Sequence, residues 1–333
     1  MEVRKVQLTG GKSLTVTLPK DWTNMVGLTK NDSIKLEPNP DGTLTLYPQG
    51  SSKIARETSK TIDLDQIPNA DYLFRVMLGA YISGHDSIIL KSKGPIDDIL
   101  KNEIFSFTQS TIGLETIEEE DDRIVLNDLV NHEDIVLNKN LDRMRALVKN
   151  MISRVFNDAF TDDTTLVKDI ESKDAEVDRA YWFISRECSL HQKDITLSQR
   201  TGTGPDEIWS IHSLARIMER IGDHAVLVST YSSEVSSVDF PSEVHERLQD
   251  VGGRIANLFL ETVENWRSKD IKGSNDCIED AEYLILYIRS TFKKSISLTL
   301  EHENAINRIT SSAIRIAEYC IDISELTINA AMN

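Results

Sequence analysis

The spacing of apolar residues changes along the chain and divides it into three parts. In residues 1–50, short apolar alternations are separated by glycine and proline, a pattern that predicts short β-strands, tight turns and one helical turn. Residues 59–130 predict the order strand, helix, strand, helix, strand, strand, which is typical of a small α/β module. Residues 131–333 have helical apolar spacing. We therefore expect a multidomain protein with a β domain, an α/β module and an all-α domain.

The all-α part is interrupted by polar, proline and glycine residues, which divide it into six helices. Two halves of three helices each are expected, at about 131–238 and 239–333. Trp182, Trp209 and Trp266 share the helical spacing, and we expect them in the core. The interruptions are expected near residues 161–163, 202–205, 239–241, 273 and 296–298.

Pairs of carboxylates four residues apart recur in phase in the two halves. Because 54 of the 333 residues are acidic, roughly nine such pairs arise by chance, and a single pair carries no information. The first and third of the phased pairs are 102 residues apart, and the second and fourth are 99 apart. This spacing indicates a duplicated unit of about 100 residues. The pairs are Asp174 with Asp178, Glu219 with Asp223, Asp276 with Asp280, and Glu318 with Asp322.

The sequences around these pairs support the duplication. Segment 216–223 aligns with segment 315–322, and Arg, Ile, Glu and Asp coincide at the same four places. Tyr181 and Tyr283 likewise follow the first and the third pair at the same distance. We interpret the two halves as copies of one unit.

The phased carboxylates predict two metal sites, one in each half. On a helix, residues four apart lie on one face, so each pair offers two oxygen ligands in one direction. Carboxylate ligands without thiolates favour Mg, Mn or Fe ions, and Zn stays open. A solvated helix face, or an ion pair between Arg216 and Glu219, is the alternative. The first predicted site consists of Asp174, Asp178, Glu219 and Asp223, and the second of Asp276, Asp280, Glu318 and Asp322.

Segment 219–226, with the sequence ERIGDHAV, resembles the helix signature of the PhoU phosphate-signalling family. The resemblance covers residues 131–333 and implies two three-helix repeats, each with two acidic motifs on adjacent helices. It also implies contacts with a phosphate transporter and a sensor kinase. Gly222 lies inside a predicted helix, where glycine costs about 1 kcal/mol relative to alanine, and the close approach of a neighbouring helix or a metal would explain it. In the second copy, Ile321 stands at the equivalent position.

The amino-acid composition limits the classes of protein to which this chain can belong. The net charge is −17, which is unusual for a nucleic-acid-binding protein, but residues 1–56 carry +3 and leave −20 for the remainder. Three scattered cysteines without a C-x-x-C motif argue against a thiolate zinc site and a disulfide framework. The absence of a long apolar run and of a signal-peptide pattern argues against membrane insertion and predicts a cytoplasmic protein.

Residues 1–50 resemble the AbrB/SpoVT swapped-hairpin DNA-binding domain, through segments 3–6, 15–19, 27–28 and 31–32. The resemblance implies DNA binding and a homodimer, since so short a β unit cannot close a core alone. Where the family often has arginines, this chain has Thr15, Thr23 and Asn24. Ordinary solvated charges on edge strands are the alternative to DNA contact. The predicted DNA-binding residues are Arg4, Lys5, Lys12 and Lys20.

These features predict a transcription regulator of phosphate uptake, in which a dimer binds DNA and a metal-binding PhoU-like body senses phosphate status. Inorganic phosphate could bind to the protein by coordinating the bound metal at positions that the carboxylates leave open. The second hypothesis is an adaptor without DNA binding that acts on a phosphate transporter or a sensor kinase. A metal-dependent hydrolase ranks last, because the sequence shows no nucleophile–base constellation, and we expect no enzyme. For the module at 59–130, a sensor, a dimerisation element and a spacer all stay open.

Overall fold

The chain divides into two compact units, Met1–Thr58 and Ser59–Asn333. Each unit is described by itself. The structure is a computed structural model, and it describes residues 2–38, 42–48, 58–132, 135–160, 165–235, 240–292 and 300–332.

The first unit consists of two antiparallel hairpins and one short helix. Gly10 and Gly11 both have a positive φ and form the turn of the first hairpin, in which Leu8 lies opposite Leu14. No side chain among the described residues of this unit is buried. Leu8, Leu14 and Leu36 are 67%, 73% and 58% exposed. The elements are β1 (Gln7–Thr9), β2 (Ser13–Thr15), α1 (Lys20–Met25), β3 (Ile34–Pro38) and β4 (Leu44–Pro48).

The second unit begins with a four-stranded mixed sheet and two helices. The strand order is β5-β6-β8-β7, with β5 parallel to β6 and the other neighbours antiparallel. Leu73, Ile88 and Phe107 are fully buried in its core. This arrangement confirms the predicted α/β module and its order of elements. The elements are β5 (Ser59–Asp63), α2 (Ala70–Ile82), β6 (Ser87–Lys91), α3 (Asp98–Ser110), β7 (Leu114–Glu119) and β8 (Arg123–Asp128).

The rest of the second unit is helical and confirms the two predicted three-helix repeats. The first repeat is formed by α4, α5 and α7, with the short helix α6 as an addition that the sequence did not predict, and the second by α8, α9 and α10. The predicted interruptions at 161–163 and 296–298 lie outside the described residues. The helices are α4 (Leu137–Asn157), α5 (Leu166–Lys193), α6 (Ile195–Thr201), α7 (Pro205–Glu234), α8 (Ser242–Ser268), α9 (Ile271–Thr291) and α10 (Leu300–Ala331).

One of the predicted interruptions between helices lies about one helical turn earlier in the chain than expected. The chain turns at Lys269, whose φ is +55°, and α9 then begins at Ile271. Asp270 caps this helix, because its side chain accepts a hydrogen bond from the backbone N–H of Gly273 at 3.0 Å. Gly273, where the interruption was expected, therefore lies in the first turn of α9.

The two repeats share one apolar core. Trp182 and Trp266 pack against it and are partly buried, as expected. The prediction for Trp209 was wrong: this residue is 56% exposed, because Ile208 and Ile211 take the inward positions of that turn of α7. None of the described helices combines the length and the apolar character that crossing a membrane requires.

Helix α5 joins the helical part to the α/β module through a buried ionic group. Arg186 is fully buried and donates hydrogen bonds to Asp128 at 2.8 Å and to the backbone oxygens of Tyr81 and His85. His132 lies between two carboxylates, with Nε2 3.0 Å from Asp128 and Nδ1 2.7 Å from Glu187. We call Asp128, His132, Arg186 and Glu187 the junction cluster.

Candidate metal centre and nucleic-acid interface

The four carboxylates of the first predicted metal site lie on two helices that pack along each other. Asp174 and Asp178 are on α5, and Glu219 and Asp223 are on α7. A Cβ atom at Gly222 would lie 3.2 Å from Oδ1 of Asp174. The glycine therefore allows α5 to bring a carboxylate close to the backbone of α7, which is the close helix approach expected from the sequence.

Burial raises the pKa values of all four carboxyl groups, and repulsion by neighbouring carboxylates adds to this effect at Asp174, Asp178 and Glu219. The pKa of Asp178 rises to about 7 and that of Asp174 to about 6, mainly because burial disfavours the charged form and then because the other carboxylates are negative. Burial also raises the pKa values of Glu219 and Asp223, against the opposing charges of nearby arginines. The four groups thus act on one another electrostatically across the two helices.

Two oxygen atoms in this cluster are buried without a hydrogen-bond partner. They are Oδ1 of Asp174 and Oε2 of Glu219. Arg216 lies 3.5 Å from the other oxygen of Glu219, so the i+3 ion pair considered as an alternative is present. Arg220, which the sequence analysis did not single out, lies 4.0 Å from Oε2. A buried carboxylate oxygen without a hydrogen bond is costly, and a hard cation would satisfy it.

The carboxylates are close but do not form a ready metal site. Among the described residues, no group of three or more His, Cys, Asp and Glu side chains is arranged to hold an ion. The chemistry of the first cluster fits a hard cation, because it supplies carboxylate oxygens only and two of them lack partners. Ligation would require side-chain movement that draws the carboxylates together.

The second predicted metal site is more open than the first. Asp276 and Asp280 are exposed on α9, and Glu318 on α10 forms an ion pair with Arg315. Burial raises the pKa of Asp322, and the charged groups that act on it all lie on α10 itself. The structure therefore places the two pairs on neighbouring helices, but the electrostatic coupling seen across the first cluster is absent around Asp322.

The predicted DNA-binding cations occupy different ends of the first hairpin. Arg4 and Lys5 precede β1, whereas Lys12 lies in the turn that joins β1 to β2. Lys20 is the first residue of α1. Arg4 forms an ion pair with Glu2 at 2.7 Å, which reduces the charge it can offer to a phosphate. The four predicted DNA-binding cations of a single chain therefore do not form one continuous positive patch.

Comparison with known proteins identifies two domains. The family model of the PhoU domain matches residues 141–231, a range that contains all four carboxylates of the first cluster. The chain therefore contains a PhoU domain. The model described as antidote-toxin recognition MazE, bacterial antitoxin, matches residues 7–54, so a MazE/AbrB-like domain precedes the PhoU domain. Both parts of the composition inferred from the sequence are confirmed.

One solved structure is similar to part of this chain. The crystal structure of PhoU from Pseudomonas aeruginosa is similar to this chain with 19% sequence identity and a TM-score of 0.48. The similarity covers 59% of this chain and 95% of that one. No curated protein matches the chain. The assignment of both domains rests on the family models.

Proposed function

We propose that this protein is a cytoplasmic regulator of phosphate uptake, with a dimeric DNA-binding β unit and a metal-binding PhoU domain. The observation that carries the proposal is the presence of a MazE/AbrB-like domain and a PhoU domain in one chain. The first suggests DNA binding and oligomerisation, and the second suggests regulation of phosphate transport. Its role is regulatory rather than catalytic.

The exposed apolar residues of the first unit support a homodimer. Leu8, Leu14 and Leu36 project from the hairpins with more than half of their surface exposed. Fully burying a side chain of this size contributes about 1.5–3 kcal/mol. A second copy supplies a self-complementary apolar surface, and exchanged hairpins would bury these residues in both chains.

Within such a dimer, Lys5, Lys12 and Lys20 are the strongest candidates for phosphate contact. None of the three lies in an ion pair among the described residues, whereas Arg4 is paired with Glu2. Two-fold symmetry doubles these charges and places them on both sides of the axis. Because the rest of the chain is acidic, binding depends on few contacts and weakens as salt rises.

The first carboxylate cluster is the principal metal site in this proposal. A Mg, Mn or Fe ion would be held by Asp174, Asp178, Glu219 and Asp223, and it would relieve their repulsion and satisfy the unpaired oxygens. When bound, the ion supplies open coordination positions that an oxyanion such as inorganic phosphate can occupy. The second set, with Asp276 and the ion-paired Glu318, binds more weakly.

DNA binding by the full chain tests the regulator proposal. The variant K12A/K20A and the control K30A/K91A are titrated with the protein's own promoter DNA at low salt, with metal and phosphate both varied. We expect the first variant to lose binding and the control, which removes the same charge elsewhere, to retain it. An intact protein that does not bind under any of these conditions excludes the regulator.

In that case the adaptor is the remaining candidate, and the PhoU domain is the observation that favours it. The first unit would then only dimerise. Copurification of a phosphate transporter or a sensor kinase with the intact chain is the expected result for an adaptor.

Elemental analysis tests the metal sites. We compare D223A/D322A with the control D206A/E303A, which removes exposed carboxylates from the same two helices. The metal content should fall in the first variant and stay at the level of the intact protein in the control. Equal metal content in both variants would show that the phased carboxylates are not ligands.

A further inference from the structure

A cleft with a volume of about 600 Å³ lies between α7 and α10. His224 and Tyr231 line it from α7, and Asn307, Arg308 and Arg315 line it from α10. The polar side chains on α10 recur every three or four residues, which places them on one face of the helix. The volume lies within the range of small-molecule binding sites, about 300–1,000 Å³.

Among the described residues, the lining of the cleft carries two arginines and no carboxylate, although Glu234 and Glu318 pair with these arginines from outside the lining. None of the described residues that line it carries a carboxylate, while 54 residues of the chain are acidic. Its polar lining consists of two guanidinium groups, amides, hydroxyls and an imidazole, which together are rich in hydrogen-bond donors. This composition selects for an anion.

Arg308 is held at one end of the cleft. Its guanidinium group lies over the ring of Tyr231, 3.7 Å from the centroid, and Nη1 donates to Glu234. Stacking and pairing fix the orientation of the group. A guanidinium group has five N–H donors, so donors beyond the one used by Glu234 can face a ligand.

Arg315 is held in the same way at the other end. It lies over the ring of Tyr319, 4.8 Å from the centroid, donates to the hydroxyl of that residue at 3.3 Å, and pairs with Glu318. Near Arg315, Nδ1 of His224 is buried and has no hydrogen-bond partner among the described residues. Both arginines are thus preorganised, and a polar group nearby is left unsatisfied.

The two arginines are held at separate places along the cleft. Seven residues of helix place their Cα atoms about 10 Å apart along the axis. Their guanidinium groups are stacked on different rings and paired with different carboxylates. A ligand with several linked phosphates can contact both groups at once.

We propose that the α7–α10 cleft binds a phosphate chain, either the chain of a nucleoside triphosphate or an inorganic one. Arg308 and Arg315 bind two parts of the chain, and Asn307 donates to the oxygens beside Arg308. The cleft binds this ligand without a metal ion, so the inference does not depend on the carboxylate clusters or on DNA binding.

Calorimetric titration of the full chain in the presence of a chelator tests this proposal. The probes are ATP, tripolyphosphate, inorganic phosphate and adenosine. We expect ATP and tripolyphosphate to bind at least tenfold more tightly than inorganic phosphate, and adenosine not to bind. Equal binding of ATP and tripolyphosphate identifies the inorganic chain as sufficient, whereas much tighter binding of ATP shows that the nucleoside is recognised as well.

Variants assign the binding to the cleft. R308Q/R315Q should weaken binding at least tenfold, and N307D, which keeps both arginines, should weaken it by adding a negative charge. The control for the environment of each arginine is R254Q, because Arg254 likewise pairs with a carboxylate, Asp250 at 2.9 Å, and lies over a tyrosine ring, Tyr287, on other helices. Thermal unfolding checks that each variant is folded.

Two results would overturn the proposal. One is an intact protein that binds neither ATP nor tripolyphosphate under chelation. The other is a folded N307D variant or a folded double variant that binds as tightly as R254Q. Because the titration excludes divalent ions and DNA, neither result bears on the proposed metal sites or on the regulator.

Discussion

Asp178 shows the conflict between stability and ligand binding at a single residue. Its pKa is raised to about 7 from the ordinary value of 3.8, so the folded protein holds a proton there more tightly than the unfolded chain does. The stability of the metal-free protein consequently increases as the pH falls through about 7. A carboxylate kept in such surroundings has a use other than stability.

We predict that D178N melts at a higher temperature than the intact protein when both are free of metal at neutral pH. The amide has the shape of the protonated carboxyl group and removes one charge from the cluster. By contrast, D206N removes an exposed charge from the first turn of α7 and should lower the melting temperature slightly, because a carboxylate there stabilises the N-terminus of the helix. The same D178N variant should gain less from added Mn²⁺ than the intact protein does. A lower melting temperature for metal-free D178N would contradict the argument.

His132 makes the junction cluster sensitive to pH in the same direction as Asp178, but at higher pH. Burial lowers its pKa, but the hydrogen bonds to Asp128 and Glu187 and their charges outweigh burial and raise the pKa to about 9. A raised histidine pKa stabilises the folded state fully below the unfolded value of 6.5, and this stabilisation is lost as the pH rises through 9.

We therefore predict that H132Q reduces the free energy of unfolding most near pH 6 and least above about pH 9. Urea unfolding of both proteins across this range measures the difference directly. Subtracting the free energy of unfolding of H132Q from that of the intact protein removes the pH dependence that the carboxylate cluster contributes to both. A difference that stays constant with pH would show that the folded protein does not raise the pKa of the imidazole.

At the scale of residues, the sequence predicted ligands that share a helix face and could not predict the junction cluster. Asp174 and Asp178 were found because helical geometry fixes their relation. Arg186 is paired with Asp128, 58 residues earlier, and no local pattern connects them. The arginines of α10 had a local signal, since polar residues recur along the face of that helix, but nothing in the sequence showed that α7 leaves a cleft beside it.

At the scale of helices, Gly222 and Gly253 offer a matched comparison. Both lie inside helices, where alanine is favoured over glycine by about 1 kcal/mol. A Cβ atom at Gly253 would meet nothing within 4 Å, whereas one at Gly222 would press on Asp174.

We predict that G253A stabilises the protein by about 0.5–1 kcal/mol, and that G222A stabilises it less. In addition, G222A should weaken metal binding, because the new methyl group displaces a ligand, while G253A should not. Chemical unfolding and metal titration of the two variants provide the measurements. Equal metal affinity in both would show that the approach of α5 to α7 does not position the ligands.

Helix boundaries show where sequence patterns fail at this scale. The interruption expected at Gly273 lies at Lys269, since the capping side chain of Asp270 decides where α9 begins. Trp209 follows the helical spacing of apolar residues and still faces solvent. The spacing of apolar residues shows that a helix is present. Where the helix starts and which face it buries depend on its capping residues and on the neighbouring helices.

At the scale of the whole molecule, we predict that deleting residues 1–50 converts a dimer into a monomer. The described side chains of the first unit are not buried within one chain, and a second copy would cover its exposed leucines. Light scattering of the intact and truncated proteins measures the change in mass. A truncated protein that stays dimeric would assign the interface to the α/β module or to the helices.

The overall composition was accessible from sequence because each domain carries a local signature. The acidic motifs on α5 and α7 identified the PhoU domain, and the short alternations around Pro19 identified the MazE/AbrB-like domain. The α/β module has a clear pattern of strands and helices but no such signature. Its packing against α5 depends on contacts between distant residues, which only the folded chain brings together.

Helix α5 has a mechanical consequence for the second unit. It carries Asp178 in the carboxylate cluster and Arg186 in the junction cluster, which are about 12 Å apart along a continuous helix. A continuous helix bends only gently over so short a distance, so a displacement of α5 along its axis at Asp178 would also displace Arg186. The α/β module is anchored to this helix by a buried arginine with three acceptors. A movement of the carboxylates along the axis of α5 would therefore also displace the module.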